Sequence, residues 1–404
     1  MNVDLMRKVD YFAGIPLCLL ASLWVKTTDW LFKQQQNAPR RVLFVELSEM
    51  GSAILVDPAM RKMREVAGAD LYFVIFKGNA ASLRLLQTVP AEQVFTIDES
   101  SLLSLAIDTV KYLLWIRRQQ IDTVIDLELF SRFSALLTGL SGASKRIGFH
   151  GFHNEGLYRG HMLTHAVSYN PHLHIAKNFI ALVNAGLANT QELPFSKTLI
   201  SDQEIRLAQA PAKSEVQSVI HDRILALYAP YRRGQRIVLI NPNASDLLPQ
   251  RRWMPDRFAA VIRNTLATFD DVLVLITGAP AEFSGAQQLV DAVGDTRCVN
   301  FAGQLKLDEL PALYQISTLM LTNDSGPGHF SSITPLKTFV IFGPETPKLY
   351  GSLGNSIPIY AGLACSPCVS ASNHRKTPCR DNVCLKVITA EEVSLQLKDY
   401  LLGA

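Results

Sequence analysis

The chain has 404 residues, 48% of them hydrophobic and only 19% charged, with a formal net charge of +3. That length suits two domains with substantial cores, and the composition argues against extended disorder. The near-neutral balance, with no dense basic face interleaved with aromatics, gives no basis for a nucleic-acid partner.

The N-terminus differs from the rest. Tyr11 to Val25 is fifteen residues without a charge, preceded by Arg7 and Lys8 and followed by Lys26, Lys33, Arg40 and Arg41. A spanning helix needs about 20 apolar residues, so this run is short. A signal peptide would show a small-x-small cleavage site, where this chain has Trp24 and Lys26. A buried helix is the second reading. The third, preferred here, is an interfacial helix with Phe12, Trp24, Trp30 and the flanking cations at headgroup level. Residues 1–40 are therefore expected to form a membrane-associating helix and linker.

From Arg41 onward, β-branched and aromatic runs alternate with helical patterns. Strands are expected at Val42–Leu47, Leu71–Phe76, Val94–Ile97, Thr123–Leu127 and Arg146–Phe149. A helix over about Ala53–Val66 follows the first strand. A loop-rich, His-rich stretch, Gly148–His174, comes next, then a helical, polar region, Ser201–Ala229. The alternation restarts with strands at Arg236–Ile240, Val272–Thr277, Cys298–Phe301, Thr318–Thr322 and Thr338–Phe342. Such alternation implies parallel sheets covered by helices. The fold class is α/β, with two Rossmann-like domains expected to face each other across a cleft. Their expected bounds are 41–215 and 216–390, with 391–404 a closing helix. Ligands of such folds sit at the C-terminal ends of the strands, which here means Ser48–Ser52, Asn241–Arg252, Thr277–Glu282 and Asn323–His329.

These loops hold groups suited to phosphate and sugar. Neither half carries a GxGxxG after its first strand, and there is no P-loop lysine motif. The loop from Asn241, NPNASDLLPQRRW, offers the small polar donors Asn243 and Ser245 and then two cations, Arg251 and Arg252. That set suits a diphosphate, although an ordinary polar loop with solvated arginines has the same composition. The turn Asn323–Gly328 hands a strand over to a short helix, whose N-terminal N–H groups would face a bound phosphate. Asp324 there is a hydrogen-bond acceptor for a sugar or simply a helix cap. His329, in the first helical turn, contacts phosphate or is merely packed.

The order Asp324-Ser325-Gly326-x-x-His329, then an apolar strand ending Phe342-Gly343-Pro344 with Thr346-Pro347 beyond, resembles glycosyltransferase family 9, the heptosyltransferase family. Val42–Met60 resembles the family's first strand, glycine turn and helix. Arg251-Arg252-Trp253 resembles its Lys-x-Trp loop ending, and Phe301-Ala302-Gly303 with Leu310 resembles a further family stretch. The resemblance implies a GT-B fold and an inverting transfer from a nucleotide-diphosphate sugar that requires no metal or other cofactor. It implies that Asn243, Ser245, Arg251, Arg252, Glu282, Asp324, Ser325, Gly326 and His329 bind the donor, with an ADP-linked heptose favoured. The acceptor would be a lipopolysaccharide-core or other lipid-linked glycan at the cytoplasmic face of the inner membrane. The closing helix, Glu391–Leu402, is expected to pack back on the N-terminal domain, as in the family.

One position departs from the family. Its usual base is an Asp directly after the first-turn glycine, where this chain has Ser52 after Gly51. Glu49, on the same loop, is the substitute candidate, and Asp57 a weaker one; a solvated loop carboxylate is the plainer account of Glu49. The alternative function is a membrane-attached nucleotide-sugar-binding protein without catalysis. A third reading is an epimerase of the same fold acting on a UDP-sugar. His150, His153, His161 and His165 are candidates to face the acceptor, or are packing histidines. Cys365, Cys368, Cys379 and Cys384 are candidates for a four-thiolate structural zinc site. Packed free thiols and disulfides are the other readings.

Overall fold

A computed structural model describes residues 3–32, 38–47, 50–150, 157–188, 196–370 and 376–403. The chain divides into two units, Met1–Arg206 and Leu207–Ala404.

The first unit begins with two helices, α1 (Val3–Phe12) and α2 (Gly14–Phe32). There follow β1 (Arg41–Val45), α3 (Met50–Leu55), α4 (Asp57–Ala67), β2 (Asp70–Phe76), β3 (Val94–Ile97), α5 (Leu102–Arg118), β4 (Thr123–Asp126), α6 (Arg132–Gly139), β5 (Lys145–His150), β6 (His165–Ser168) and α7 (Ile175–Leu187). The six strands are parallel in the order β3-β2-β1-β4-β5-β6. β1 lies near the middle and is buried from Val42 to Val45, as expected of a strand covered on both faces. One face of the sheet, bearing Leu43, Val45, Tyr72, Val74 and Val124, packs against Tyr112 and Ile116 of α5 and Leu137 of α6. The helix expected over Ala53–Val66 is broken into α3 and α4, and α4 is closed by Gly68, whose φ of +64° places its N–H on Arg64 O.

The second unit contains α8 (Ser214–Leu227), β7 (Arg236–Asn241), α9 (Pro255–Thr268), β8 (Val272–Ile276), α10 (Phe283–Val293), β9 (Cys298–Asn300), α11 (Leu310–Gln315), β10 (Leu319–Asn323), α12 (Gly326–Ser331), β11 (Lys337–Phe342), α13 (Pro347–Tyr350), β12 (Ser356–Tyr360), α14 (Val383–Lys386) and α15 (Ala390–Gly403). Its strands are also all parallel, in the order β12-β11-β10-β7-β8-β9. Numbered within each unit, both sheets run 3-2-1-4-5-6, the dinucleotide-fold order. Strand order reverses between β1 and β4 in one unit and between β7 and β10 in the other. Three of the four loops singled out in the sequence, those after β1, β7 and β10, follow strands at these reversals, and the fourth follows β8, beside β7.

Two strands lie outside the expected set. β6 is four residues long within the His-rich stretch read as loop. β12 contains Pro358 and takes the sheet edge, where a missing N–H costs least. The closing helix, α15, packs within the second unit, where Val393, Leu397 and Leu401 are buried with Phe258 and Ile262 of α9 in its core. Its apolar stripe recurs every four residues and matches α9. Arg236 Nη1 fastens its end at 2.7 Å from Leu401 O.

The N-terminal helices are fastened by buried ion pairs. Asp10 of α1 accepts the first free N–H groups of α6, Arg132 N at 2.8 Å and Phe133 N at 3.0 Å, and pairs with the buried Arg132 guanidinium at 3.1 Å. Asp29 of α2 pairs with buried Arg146. α2 lies against α6 through Cys18, Ala21 and Val25. This close approach requires glycine at 14 and 160. A Cβ at Gly14 would fall 2.8 Å from Arg132, and one at Gly160, whose φ is +79°, would fall 2.5 Å from Ser22 Oγ. α2 is also long and apolar enough to cross a membrane by length and composition.

Asp10→Asn should therefore lower the first unit's stability by about 2–4 kcal/mol, because it leaves the buried Arg132 without its counter-charge. Urea unfolding at neutral pH, compared with Lys8→Gln as an exposed control, measures it; equal midpoints for the two variants would contradict the clamp.

Candidate functional site

The reversal between β7 and β10 gathers most of the expected donor residues. β7 runs into Asn241–Trp253 and β10 into Asn323–His329, and Asn323 joins the two loops. Its Oδ1 accepts Trp253 N at 3.1 Å, and its Nδ2 donates to Pro242 O at 2.7 Å. Trp253 is buried, and its ring N–H donates to Ile388 O at 3.2 Å. The Trp253 end of this loop is thus anchored on both sides.

Arg251 points inward, into a buried acidic pair. Its Nε lies 3.4 Å from Asp324 Oδ2, and its Nη2 donates to Glu345 Oε2. Asp324 is 4% exposed and Glu345 1%. Burial pushes the Asp324 carboxyl above its ordinary range against the pull of Arg251. Burial likewise pushes Glu345 up to about 8, with Arg251 opposing and Asp324 adding to the rise. Two buried carboxyls facing one guanidinium cannot both stay ionised, so the pair keeps a proton near neutrality. Glu345 was not among the candidates from sequence. Its signal was its place directly after Gly343-Pro344, at the C-terminal end of β11 next to β10.

The remaining donor candidates divide into two groups. Asn243 and Glu282 converge on Gly278, where a Cβ would lie 3.0 Å from Asn243 Nδ2 and 2.9 Å from Glu282 Oε2. Asn243 Nδ2 donates to Thr277 O at 3.3 Å, and Glu282 Oε2 accepts Ala279 N at 2.6 Å. Ser325, Gly326 and His329 are half-buried on the turn into α12, and Ser325 Oγ donates back to Asn323 O at 3.2 Å. By contrast, Ser245 and Arg252 are exposed. Arg252 closes its own loop, donating to Ala244 O at 2.6 Å and pairing with Asp246.

In the first unit, Glu49 lies outside the described residues. Ser52 is half-buried on α3. Asp57 is fully buried, with Arg61 Nε at 2.9 Å and Thr88 Oγ1 on its carboxylate, so it is a structural ion-pair partner. The reversal between β1 and β4 brings up a carboxylate that sequence reasoning passed over: Glu128 Oε1 accepts Leu47 N at 3.0 Å, at the exit of β1. Asp126, two residues before it at the end of β4, is pushed up to about 6 by burial, with Arg159 opposing and Glu128 adding to the rise.

Of the middle histidines, His153 lies outside the described residues. His165 is buried in β6 and driven down to about 4 by burial beside Lys145 and Arg146, which keeps it neutral. The rings of His150 and His161 lie 6.0 Å apart. Among the described residues no group of three or more His, Cys, Asp or Glu has an arrangement that could hold a metal ion. Cys365 is exposed, Cys368 and Cys379 are half-buried and Cys384 is buried, and no disulfide joins them. They are still neighbours. Burial raises the Cys384 thiol, and the other three raise it further.

The family model for glycosyltransferase family 9 (heptosyltransferase) matches residues 112–377. The chain belongs to this family. Among curated relatives, the lipooligosaccharide heptosyltransferase 2 of Campylobacter jejuni serotype O:2 is 30% identical over 175 residues, covering 42% of this chain and 52% of that protein. The chain thus spans about half the length of the curated relatives it matches. Among solved structures, the ADP-heptose lipopolysaccharide heptosyltransferase II of E. coli aligns with a TM-score of 0.69 at 17% identity, covering 90% of this chain and 99% of that one. A family 9 glycosyltransferase from Veillonella parvula gives 0.69 at 18%, covering 92% and 99%. E. coli WaaC with ADP gives 0.60 at 17%, covering 89% and 99%. These structural likenesses establish the fold, two Rossmann-like domains of GT-B type.

The acidic pair sets a pH dependence. Glu345 is raised in the folded chain from 4.5 to about 8, so between those values the folded state holds a proton that the unfolded state has released. Stability therefore falls as pH rises through that window. A Gln at 345 reproduces the protonated acid, with N–H toward Asp324 and C=O toward Arg251. Glu345→Gln should flatten the decline between pH 5 and pH 8 and be at least as stable as wild type at pH 9. Urea midpoints across this range measure it, and parallel curves for the two proteins would refute it.

Proposed function

We propose that this protein is an inverting, metal-independent glycosyltransferase that moves heptose from an ADP-linked donor to a lipopolysaccharide-core or other lipid-linked acceptor. The observation that carries this reading is the Asp324-Ser325-Gly326-x-x-His329 turn at the β7–β10 reversal, joined through Asn323 to the loop ending in Trp253. The family membership and the names of the relatives support the same class. On this reading the turn's backbone N–H groups and His329 meet the diphosphate, and Asn243 and Glu282 lie toward the nucleoside. Asp324 and Glu345, buried on Arg251, hold that turn in place from beneath.

In the reaction, the acceptor hydroxyl oxygen bonds to the anomeric carbon as the bond from that carbon to the β-phosphate oxygen breaks. The departing oxygen takes the electron pair, and the hydroxyl proton passes to a carboxylate. Charge on the leaving diphosphate is met by fixed N–H dipoles and cations, in the manner of an oxyanion hole. Glu49 is the proposed base, and Glu128, in the loop after β4, is its competitor. Serine at 52 favours the second reading, a donor-binding protein without transfer, because a hydroxyl is no base at neutral pH. The working place is the cytoplasmic face of the inner membrane, with the α1–α2 helices lying on the bilayer; the large apolar side chains exposed on α2 support this.

Thermal unfolding with ADP, UDP or GDP tests the donor assignment. ADP at about 100 times its dissociation constant should stabilise by roughly 2.7 kcal/mol, and stabilisation by UDP or GDP instead would sink it. With ADP-heptose and a core-oligosaccharide acceptor, Glu49→Gln should lose at least about a hundredfold in kcat while ADP binding stays. The same loss in Glu128→Gln would move the role there, and no turnover by wild type with any acceptor would favour the binding protein. A structural zinc on Cys365, Cys368, Cys379 and Cys384 is a separate proposal: the thiols lie close enough to interact and would have to draw together to ligate a metal. Elemental analysis of protein purified without chelators should return one zinc per chain, and its absence removes the metal.

A further inference from the structure

The first unit exposes two apolar surfaces that its own packing leaves uncovered. On α2 the buried positions are the small ones, including Gly14, Cys18, Ala21 and Ser22, while Leu20, Leu23, Trp24 and Trp30 are exposed. This reverses the usual arrangement of a surface helix. α5 is apolar on two sides. Tyr112 and Ile116 enter the core. Leu103, Ile107, Val110 and Leu114, at helical spacing, form a second stripe that faces outward, with Leu103 71% and Val110 59% exposed. A stripe of four large side chains is not needed for packing and is costly on a wetted surface.

The two surfaces belong to one layer. α5, α6 and Met6 of α1 all pack on the same face of the sheet, and α2 lies against α6. The charges of this layer are sorted. Three of its acids are engaged: Asp10 with Arg132, Asp29 with Arg146, and Asp108 with Lys111. Exposed cations stand along these helices, Lys8 on α1, Lys26 on α2, and Arg117 and Arg118 in the last turn of α5. Apolar area bordered by cations fits a bilayer surface carrying anionic lipid, where hydrophobic burial and attraction to headgroups act together.

We propose that the outward stripe of α5 is a second membrane contact, lying on an anionic bilayer together with the outward face of α2. This rests on the membrane reading above and extends it from a terminal helix to the body of the domain. Two contacts fix the orientation of the first unit on the bilayer, whereas one helix would leave it free to swing.

The test is flotation of the full chain with vesicles of phosphatidylglycerol and phosphatidylethanolamine, and with phosphatidylcholine alone. Wild type should partition to the anionic vesicles and more weakly to the neutral ones. L103Q/I107Q/V110Q/L114Q should keep the wild-type unfolding midpoint, since all four side chains are exposed, and should lose at least about tenfold in partitioning. Should that variant unfold, Leu103→Glu alone should show the same direction. A quadruple variant that floats as wild type does, while L20Q/W24Q fails to float, overturns the α5 contact and leaves the α2 reading standing. Wild type that floats with neither vesicle overturns both. A concentration-dependent dimer abolished by the quadruple variant, with vesicle partitioning unchanged, assigns the stripe to self-association and also overturns the proposal.

Discussion

A charge taken out of water must be met by another charge or given up as a proton. In the second unit Arg251 is met twice, by Asp324 on the β10 turn and by Glu345 after β11. That arrangement ties together the loop from β7 and the ends of β10 and β11, which lie side by side in the sheet. The remaining polar links serve the same junction. Asn323 holds both Trp253 and Pro242, and Trp253 fills the space below. The turn carrying Asp324-Ser325-Gly326 is therefore supported on both sides before any ligand arrives. Such preorganisation is what electrostatic stabilisation of a leaving group requires.

The first unit solves a different problem with the same means. Its N-terminal helices show an apolar surface outward, so lipid or water on that side cannot hold them on the domain. They are held from within, by Asp10 at the start of α6, by Asp29 on Arg146 and by small residues that allow close approach. These pairs account for the acids on either side of the apolar stretch. Asp10 and Asp29 stand where a freely spanning helix would have no use for them, and each neutralises a buried arginine of the domain.

Much of the fold was legible because a parallel strand buried on both faces reads as a short β-branched or aromatic run. β1, β2, β4, β7, β8, β10 and β11 all announce themselves so. β12 did not, since Pro358 argues against a central strand and only its edge position makes it tolerable. β6 was obscured by its shortness and its histidine-rich setting. The grouping of the donor candidates was partly legible as motif: Asp324, Ser325, Gly326 and His329 share one turn, whereas the meeting of Asn243 and Glu282 at Gly278 shows only in the fold. Chain order gave no means of seeing that Arg251 and Glu345, ninety-four residues apart, would share a proton-holding cluster. Nor did it show that Arg252 merely closes its own loop.

The order of strands, helices and glycine turns, and with it the family, was determined by local pattern, because hydrophobic periodicity and turn chemistry act over a few residues. What the tertiary structure decided were the long-range partnerships. α15 packs on α9 because its stripe of Val393, Leu397 and Leu401 finds a matching surface there. Glu128 reaches the exit of β1 because β4 pairs with β1. Among the described residues nothing covers the outward faces of α2 and α5, so their large apolar side chains stay exposed. Periodicity marks a side chain as apolar, but only packing decides whether it ends inside the protein or on its surface.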